Sequence, residues 1–184
     1  MRLFVAIPVG EPALGALGRL LDRYRRTRWP VKWVERDGLH LTLKFLGQVE
    51  EERLEDVGRV LRAAAAGTPI LSFSLTELGA FPTLRRPRVL WVGLDAEPAL
   101  ELLVNRLENG FEPLGFAKEG RPFRPHVTLG RIREGGQLPS EALREWEQKA
   151  PDATFTAPAL VLFESRLSPA GATYVPRLTL PLGT

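Results

Sequence analysis

The chain predicts an α+β fold: two pseudo-symmetric lobes, each an antiparallel sheet with helices packed outside it, around a central cleft. Three observations carry this. The order strand, helix, histidine-bearing strand, helix, strand occurs twice in the 184 residues. The two passes keep step, with 35 residues from Val5 to His40 and 34 from Val92 to His126. Strands and helices mix in this order without the glycine-rich fingerprint of a dinucleotide-binding fold. One domain spanning 1–184 is expected, its lobe-forming repeats being approximately 1–84 and 88–184.

The elements follow from periodicity. Arg2 to Pro8 is an apolar run and reads as a buried first strand rather than a leader. Glu11 to Arg26 places Leu14, Leu17, Leu20 and Leu21 on one helical face. Leu39 to Leu46 alternates as a strand and ends at Gly47; Glu50 to Ala66 is a helix closed by Gly67 and Pro69. Ile70 to Leu78 is a strand, and the turn-rich Phe81 to Pro87 stretch separates the repeats. In the second pass Val89 to Leu94 is a strand. Glu97 to Leu114 is a helix carrying Leu100, Leu103, Leu107 and Leu114. His126 to Ile132 is a strand, Ser140 to Lys149 a helix, and Phe155 to Phe163 and Thr173 to Leu180 are strands.

Composition narrows the class. With 44% hydrophobic and 26% charged residues the chain has the makings of a globular core. There is no cysteine, which removes disulfides, thiol nucleophiles and cysteine-ligated metals and fits a reducing cytoplasm. No run approaches the roughly 20 apolar residues that span a bilayer, so no membrane role is expected. The net charge of +3 is mild for a dedicated nucleic-acid binder. The basic residues are nevertheless mostly arginine, whose planar fork suits phosphate oxygens.

The chain has two histidines, and each opens the same pattern: His40-Leu41-Thr42-Leu43 and His126-Val127-Thr128-Leu129. On a strand, residues i and i+2 share a face. Each motif thus holds an imidazole and a hydroxyl about 7 Å apart, with the intervening apolar residues turned to the core. By this parity Lys44 joins His40 and Thr42, Phe45 faces the core, and Arg131 falls on the face opposite His126. A lone strand histidine is most often structural; two in equivalent places of a repeat are not. Two imidazoles flanking one phosphorus suit in-line phosphodiester chemistry, one accepting a proton from the attacking oxygen and the other giving one to the leaving oxygen. Threonine hydroxyls can hold the non-bridging oxygens. Two histidines without an acidic cluster make a poor metal site, so neither a metal nor another cofactor is expected.

At these residues the chain resembles the 2H phosphoesterase superfamily, named for paired His-x-Thr/Ser-x motifs. More closely, it resembles the RNA 2',3'-cyclic phosphodiesterases, also called 2'-5' RNA ligases (LigT/ThpR type). The likeness includes Arg2 to Ile7, Leu39 to Gly47, Arg88 to Gly93, Arg121 to Arg131 and Leu162 to Ser165. It implies a V-shaped cleft and metal-free hydrolysis of an RNA 2',3'-cyclic phosphate end to a 2'-phosphate. It implies His40 as proton donor, His126 as proton acceptor, and Thr42 and Thr128 as their companions. Arg131 matches an arginine that follows the second motif and could contact phosphate. The older family name implies 2'-5' ligation, in which an RNA 5'-hydroxyl replaces water.

Further substrate contacts are expected from Arg121, Phe123 and Lys44. Phe81, Trp91, Phe116 and Tyr174 are additional base-stacking candidates, and Arg124 with Arg85, Arg86 and Arg88 forms a candidate basic rim. The partner expected is an RNA carrying a cyclic phosphate end, tRNA fragments among them, acted on by a cytoplasmic monomer. Two alternatives stand: the same chemistry on another cyclic phosphate or a 2'-5' oligonucleotide, and a non-catalytic RNA-binding module.

Overall fold

The computed structural model of the chain describes residues 1–146 and 148–184. The described residues form nine strands and four α-helices. In chain order these are β1 (Arg2–Pro8), α1 (Ala13–Arg25), β2 (Val31–Trp33), β3 (His40–Gln48), α2 (Leu54–Ala65), β4 (Leu71–Pro82) and β5 (Pro87–Ala96). They continue with α3 (Pro98–Phe111), β6 (His126–Ile132), α4 (Ser140–Trp146), β7 (Thr154–Ala157), β8 (Ala159–Ser168) and β9 (Gly171–Pro181). None of the helices is long and apolar enough to cross a membrane.

One antiparallel sheet runs β7-β4-β5-β6-β3-β1-β8-β9, with β2 added beside β6. It divides into two lobes, β7-β4-β5-β6 with β2, and β3-β1-β8-β9, because β3 and β6 meet at a single residue pair, Leu41 opposite Val127. The mixed helix and antiparallel sheet architecture is the fold class read from the sequence. The lobes exchange strands, however: β4 leaves the first repeat to pair with β5, while β8 and β9 leave the second to extend β1. The division 1–84 and 88–184 therefore describes order along the chain and not membership of a lobe.

Helices cover one face of each lobe. The α2 and α3 helices pack on each other, α3 lying against β3 and α2 against β9, with Val57, Leu61, Leu100, Leu103, Leu107 and Phe111 buried. On the other lobe α1 lies against β7. The buried indole of Trp146 in α4 donates to the Gly79 carbonyl of β4 at 2.9 Å. Tyr24, Trp29 and Trp33 surround that indole. The opposite face of the sheet carries both histidines, and among the described residues no α-helix covers it.

Three elements depart from the periodicity. The Phe155 to Phe163 run is two strands, because Pro158 has no N–H for a ladder; β7 and β8 then pair at opposite ends of the sheet. The β2 strand, three residues long, is too short to show alternation. Helix α4 is described to Trp146, with Glu147 outside the described residues.

Candidate active site

Each histidine-bearing strand carries a β-bulge directly after its threonine. Along β3, Thr42 pairs with Ala6 and Lys44 with Val5, so Leu43 is the extra residue. Along β6, Thr128 pairs with Trp91 and Gly130 with Leu90, so Leu129 is the extra residue. A bulge inverts the alternation beyond it. The consequence corrects three parity readings at once.

Lys44 is not on the His40 face. It turns to the helix side, where it is 6% exposed and its Nζ lies 2.8 Å from Glu108 Oε2 and donates to the Ala117 carbonyl at 2.6 Å. Phe45 takes the open face instead and is 68% exposed. Arg131 pairs with Val89, which alternates in step with Trp91 and Gly93, the partners of Thr128 and His126. The guanidinium is thereby delivered to the His126 face. Phe45 and Arg131 occupy equivalent places, five residues beyond each histidine.

The Leu41–Val127 pair lies at the local pseudo-two-fold. Both residues are buried on the helix side, so their neighbours point away from it. In antiparallel register His40 then stands beside Thr128, and Thr42 beside His126. Both imidazoles are fixed the same way: Nδ1 lies 2.7 Å from the carbonyl two residues earlier, Gly38 for His40 and Arg124 for His126. A carbonyl only accepts, so each Nδ1 carries a hydrogen and each Nε2 is the atom free for proton transfer.

The surroundings differ. Phe4, Tyr174 and Phe163 enclose the His40 ring at centroid distances of 5.0, 5.1 and 6.3 Å. Burial among them pushes the His40 imidazole below its ordinary value of 6.5, against the opposing pull of the Gly38 carbonyl. His126 meets Phe81 edge-on at 5.1 Å and Trp91 at 6.2 Å. A Cβ at Gly93, the cross-strand partner of His126, would lie 2.6 Å from Thr76 Oγ1 and 2.9 Å from Glu77 Oε1. One extra residue in β4 between Leu75 and Leu78 thus sets the Glu77 carboxylate against Gly93, the position opposite His126. Nothing in the spacing of the sequence announces Glu77.

A family model described as the 2'-5' RNA ligase superfamily matches residues 12–168. The chain belongs to this superfamily. Among its relatives, the RNA 2',3'-cyclic phosphodiesterase of Thermotoga maritima is 30% identical over 179 residues, covering 95% of this chain and 91% of that one. The protein of the same name from Aeropyrum pernix is 38% identical over 135 residues, covering 72% and 76%. Among solved structures, TT0787 of Thermus thermophilus superposes with a TM-score of 0.85 at 29% identity, covering 99% of this chain and 98% of that one. Escherichia coli LigT complexed with 3'-AMP shares the fold, with a TM-score of 0.77 at 24% identity, covering 100% and 98%.

The remaining expected contacts of this superfamily member separate into two groups. Phe81, Trp91 and Tyr174 stand at the histidines, although the indole nitrogen of Trp91 is buried without an acceptor among the described residues. Arg121 and Arg124 are exposed on the segment leading into His126, as are Arg85, Arg86 and Arg88 around the β4–β5 turn. Phe123 packs partly against the core, which leaves less of its ring free for a base. Phe116 lies far from the histidines in the fold, held edge-on against Phe111 and under Arg53 at 4.8 Å. Among the described residues no three His, Asp or Glu side chains converge as metal ligands.

Proposed function

We propose that this chain is an RNA 2',3'-cyclic phosphodiesterase that opens the cyclic phosphate at an RNA end by two-histidine acid–base catalysis. One observation supports this above all: the Leu41–Val127 pair gathers two Nε2 atoms and two threonine hydroxyls on one face around a single point. The relatives' names supply the substrate class.

In this reading the cyclic phosphate sits over that pair. His126 Nε2 accepts a proton as water oxygen bonds to phosphorus. The bond from phosphorus to the 3'-oxygen breaks, and His40 Nε2 gives its proton to that oxygen. The phosphate stays on the 2'-oxygen. Thr42 and Thr128 hydroxyls, with the Arg131 guanidinium, hold the non-bridging oxygens where negative charge concentrates. An RNA 5'-hydroxyl in the place of water gives 2'-5' ligation at the same site. One chain carries all the groups required, so a monomer suffices.

The test is a mapped product. A cyclic-phosphate-ended RNA is expected to yield a 2'-phosphate, with turnover retained in EDTA and lowered roughly 10²–10⁴-fold in His40→Ala and in His126→Ala. A 3'-phosphate product overturns the assignment of the leaving oxygen. Wild-type rates in both variants overturn the mechanism. RNA bound tightly without turnover favours the binding-module alternative, and turnover only of a 2'-5' oligonucleotide or a non-RNA cyclic phosphate moves the substrate.

A further inference from the structure

The β2 strand adds a second cation to the cleft beside Arg131. Lys32 is the cross-strand partner of Arg131, so the two side chains share a face. Val31 and Trp33 turn the other way: Val31 is buried, and a Cβ at Gly130 would meet both. Lys32 is exposed and reaches toward the other lobe. Its Nζ lies 3.1 Å from where a Cβ would stand on Gly171, at the tip of the β8–β9 hairpin. Among the described residues neither Lys32 nor Arg131 has an ion-pair partner. Two like charges directly opposite on adjacent strands repel. An anion lying between them relieves that repulsion.

The position along the cleft selects the anion. Because β3 and β6 run antiparallel, Arg131 and Lys32 lie beyond His40 and Thr128, while Phe45 lies beyond Thr42 and His126. The cleft therefore has a cationic end and an aromatic end with the catalytic groups between them. We infer that Lys32, standing beside the Arg131 that holds the reacting phosphate, forms a second phosphate subsite that binds the backbone phosphate on the 5' side of the nucleotide bearing the cyclic end. The inference rests on the function proposed above and deepens it: the enzyme distinguishes an RNA terminus from a free cyclic mononucleotide through this contact.

Adenosine 2',3'-cyclic phosphate has no 5' phosphate, whereas the dinucleotide ApA with a 2',3'-cyclic end has one. Lys32→Ala is expected to raise KM for the dinucleotide roughly tenfold, which is about 1.4 kcal/mol of contact. It should leave kcat on both substrates and KM for the mononucleotide unchanged. The slope of log KM against log salt for the dinucleotide should fall by about 0.7, the value for one phosphate contact on a single strand. Lys32→Arg should restore binding, and Lys32→Glu should weaken it beyond the alanine variant. Equal losses on the two substrates, or no loss on the dinucleotide, overturn the subsite while leaving the proposed activity intact. Wild-type protein that turns over neither substrate overturns the proposed activity itself.

Discussion

His40 stands among Phe4, Phe163 and Tyr174, whereas His126 meets Phe81 and Trp91 and stands across from Gly93, against which the Glu77 carboxylate lies. The backbones of the two half-sites are equivalent: same motif, same bulge after the threonine, same Nδ1 contact to the carbonyl two residues back. Their side-chain settings differ: three rings enclose His40, while His126 meets two rings and a carboxylate lies against the strand position opposite it. The duplication builds two proton carriers facing one point, and the departures from symmetry make the two carriers unlike. An acid and a base are needed at one phosphorus, and unlike settings separate them.

The largest test of this comparison removes either carrier. If both half-sites act on one phosphorus, His40→Ala and His126→Ala each lose the roughly 10²–10⁴-fold stated above. The double variant should then lose little more than the worse single one, because groups that act as a unit are not additive. Additive losses, measured as kcat/KM on one cyclic substrate, would show two independent contributions.

The two cations that follow the motifs give a second test. Lys44 and Arg131 look alike in the sequence, but the bulges send the first to the helices and the second to the cleft. Lys44→Ala leaves the half-buried Glu108 carboxylate with only the Glu119 N–H and frees the segment at Ala117, so a stability loss of about 1–3 kcal/mol is expected in denaturant titrations. Arg131→Met should instead lower kcat/KM at least roughly tenfold through a lost charge-assisted contact, with the unfolding midpoint nearly unchanged. The opposite pattern in the two variants would place the cations the other way round.

These residues also mark how much was legible in the sequence. The histidine–threonine pairs, the repeat and most helices and strands could be read because periodicity reports which side of an element is buried, and Leu41 and Val127 announce it clearly. A bulge leaves no comparable mark. Leu43 and Leu129 are as apolar as ordinary strand residues, so Lys44, Phe45 and Arg131 came out on the wrong faces. Strand exchange was equally hidden: Pro158 announces a break, but not that the chain crosses from one lobe to the other there. Lys32 reaches the cleft through a pairing made far along the chain, and Glu77 meets Gly93 through an extra residue in β4, neither of which local pattern encodes.

The apolar setting of His40 predicts a shape for the pH profile. The two limbs of kcat/KM belong to the coupled imidazole pair, and the burial of His40 lowers the acid limb. Burial places that limb below the ordinary 6.5. Phe163→Ala or Tyr174→Ala admits water to the ring and should move the limb upward. Substitution of Phe81, which faces His126, should not. An anionic phosphate beside His40 raises its proton affinity, which lets a ring that is neutral in the empty cleft serve as donor once substrate is bound.

The same burial links His40 to folding, and this is the smallest effect. An imidazole whose proton affinity is lowered in the fold is protonated more readily in the unfolded chain, so the unfolded state binds more protons just below 6.5. Stability from this group is fully present above 6.5 and declines as pH falls toward the folded value. Glu11 and Glu164, held below the ordinary 4.5 by hydrogen bonds to the Gly15 N–H and to Arg166 respectively, act in the same direction. Their contributions begin to fall only near 4.5, so the interval between 4.5 and 6.5 isolates the histidine. Urea midpoints across that interval should fall on acidification for the wild-type protein, and less steeply for His40→Asn. An unchanged slope in His40→Asn would mean that the aromatic enclosure of His40 does not set its charge, and the asymmetry between the half-sites would then lie in the cations at one end of the cleft and in Glu77.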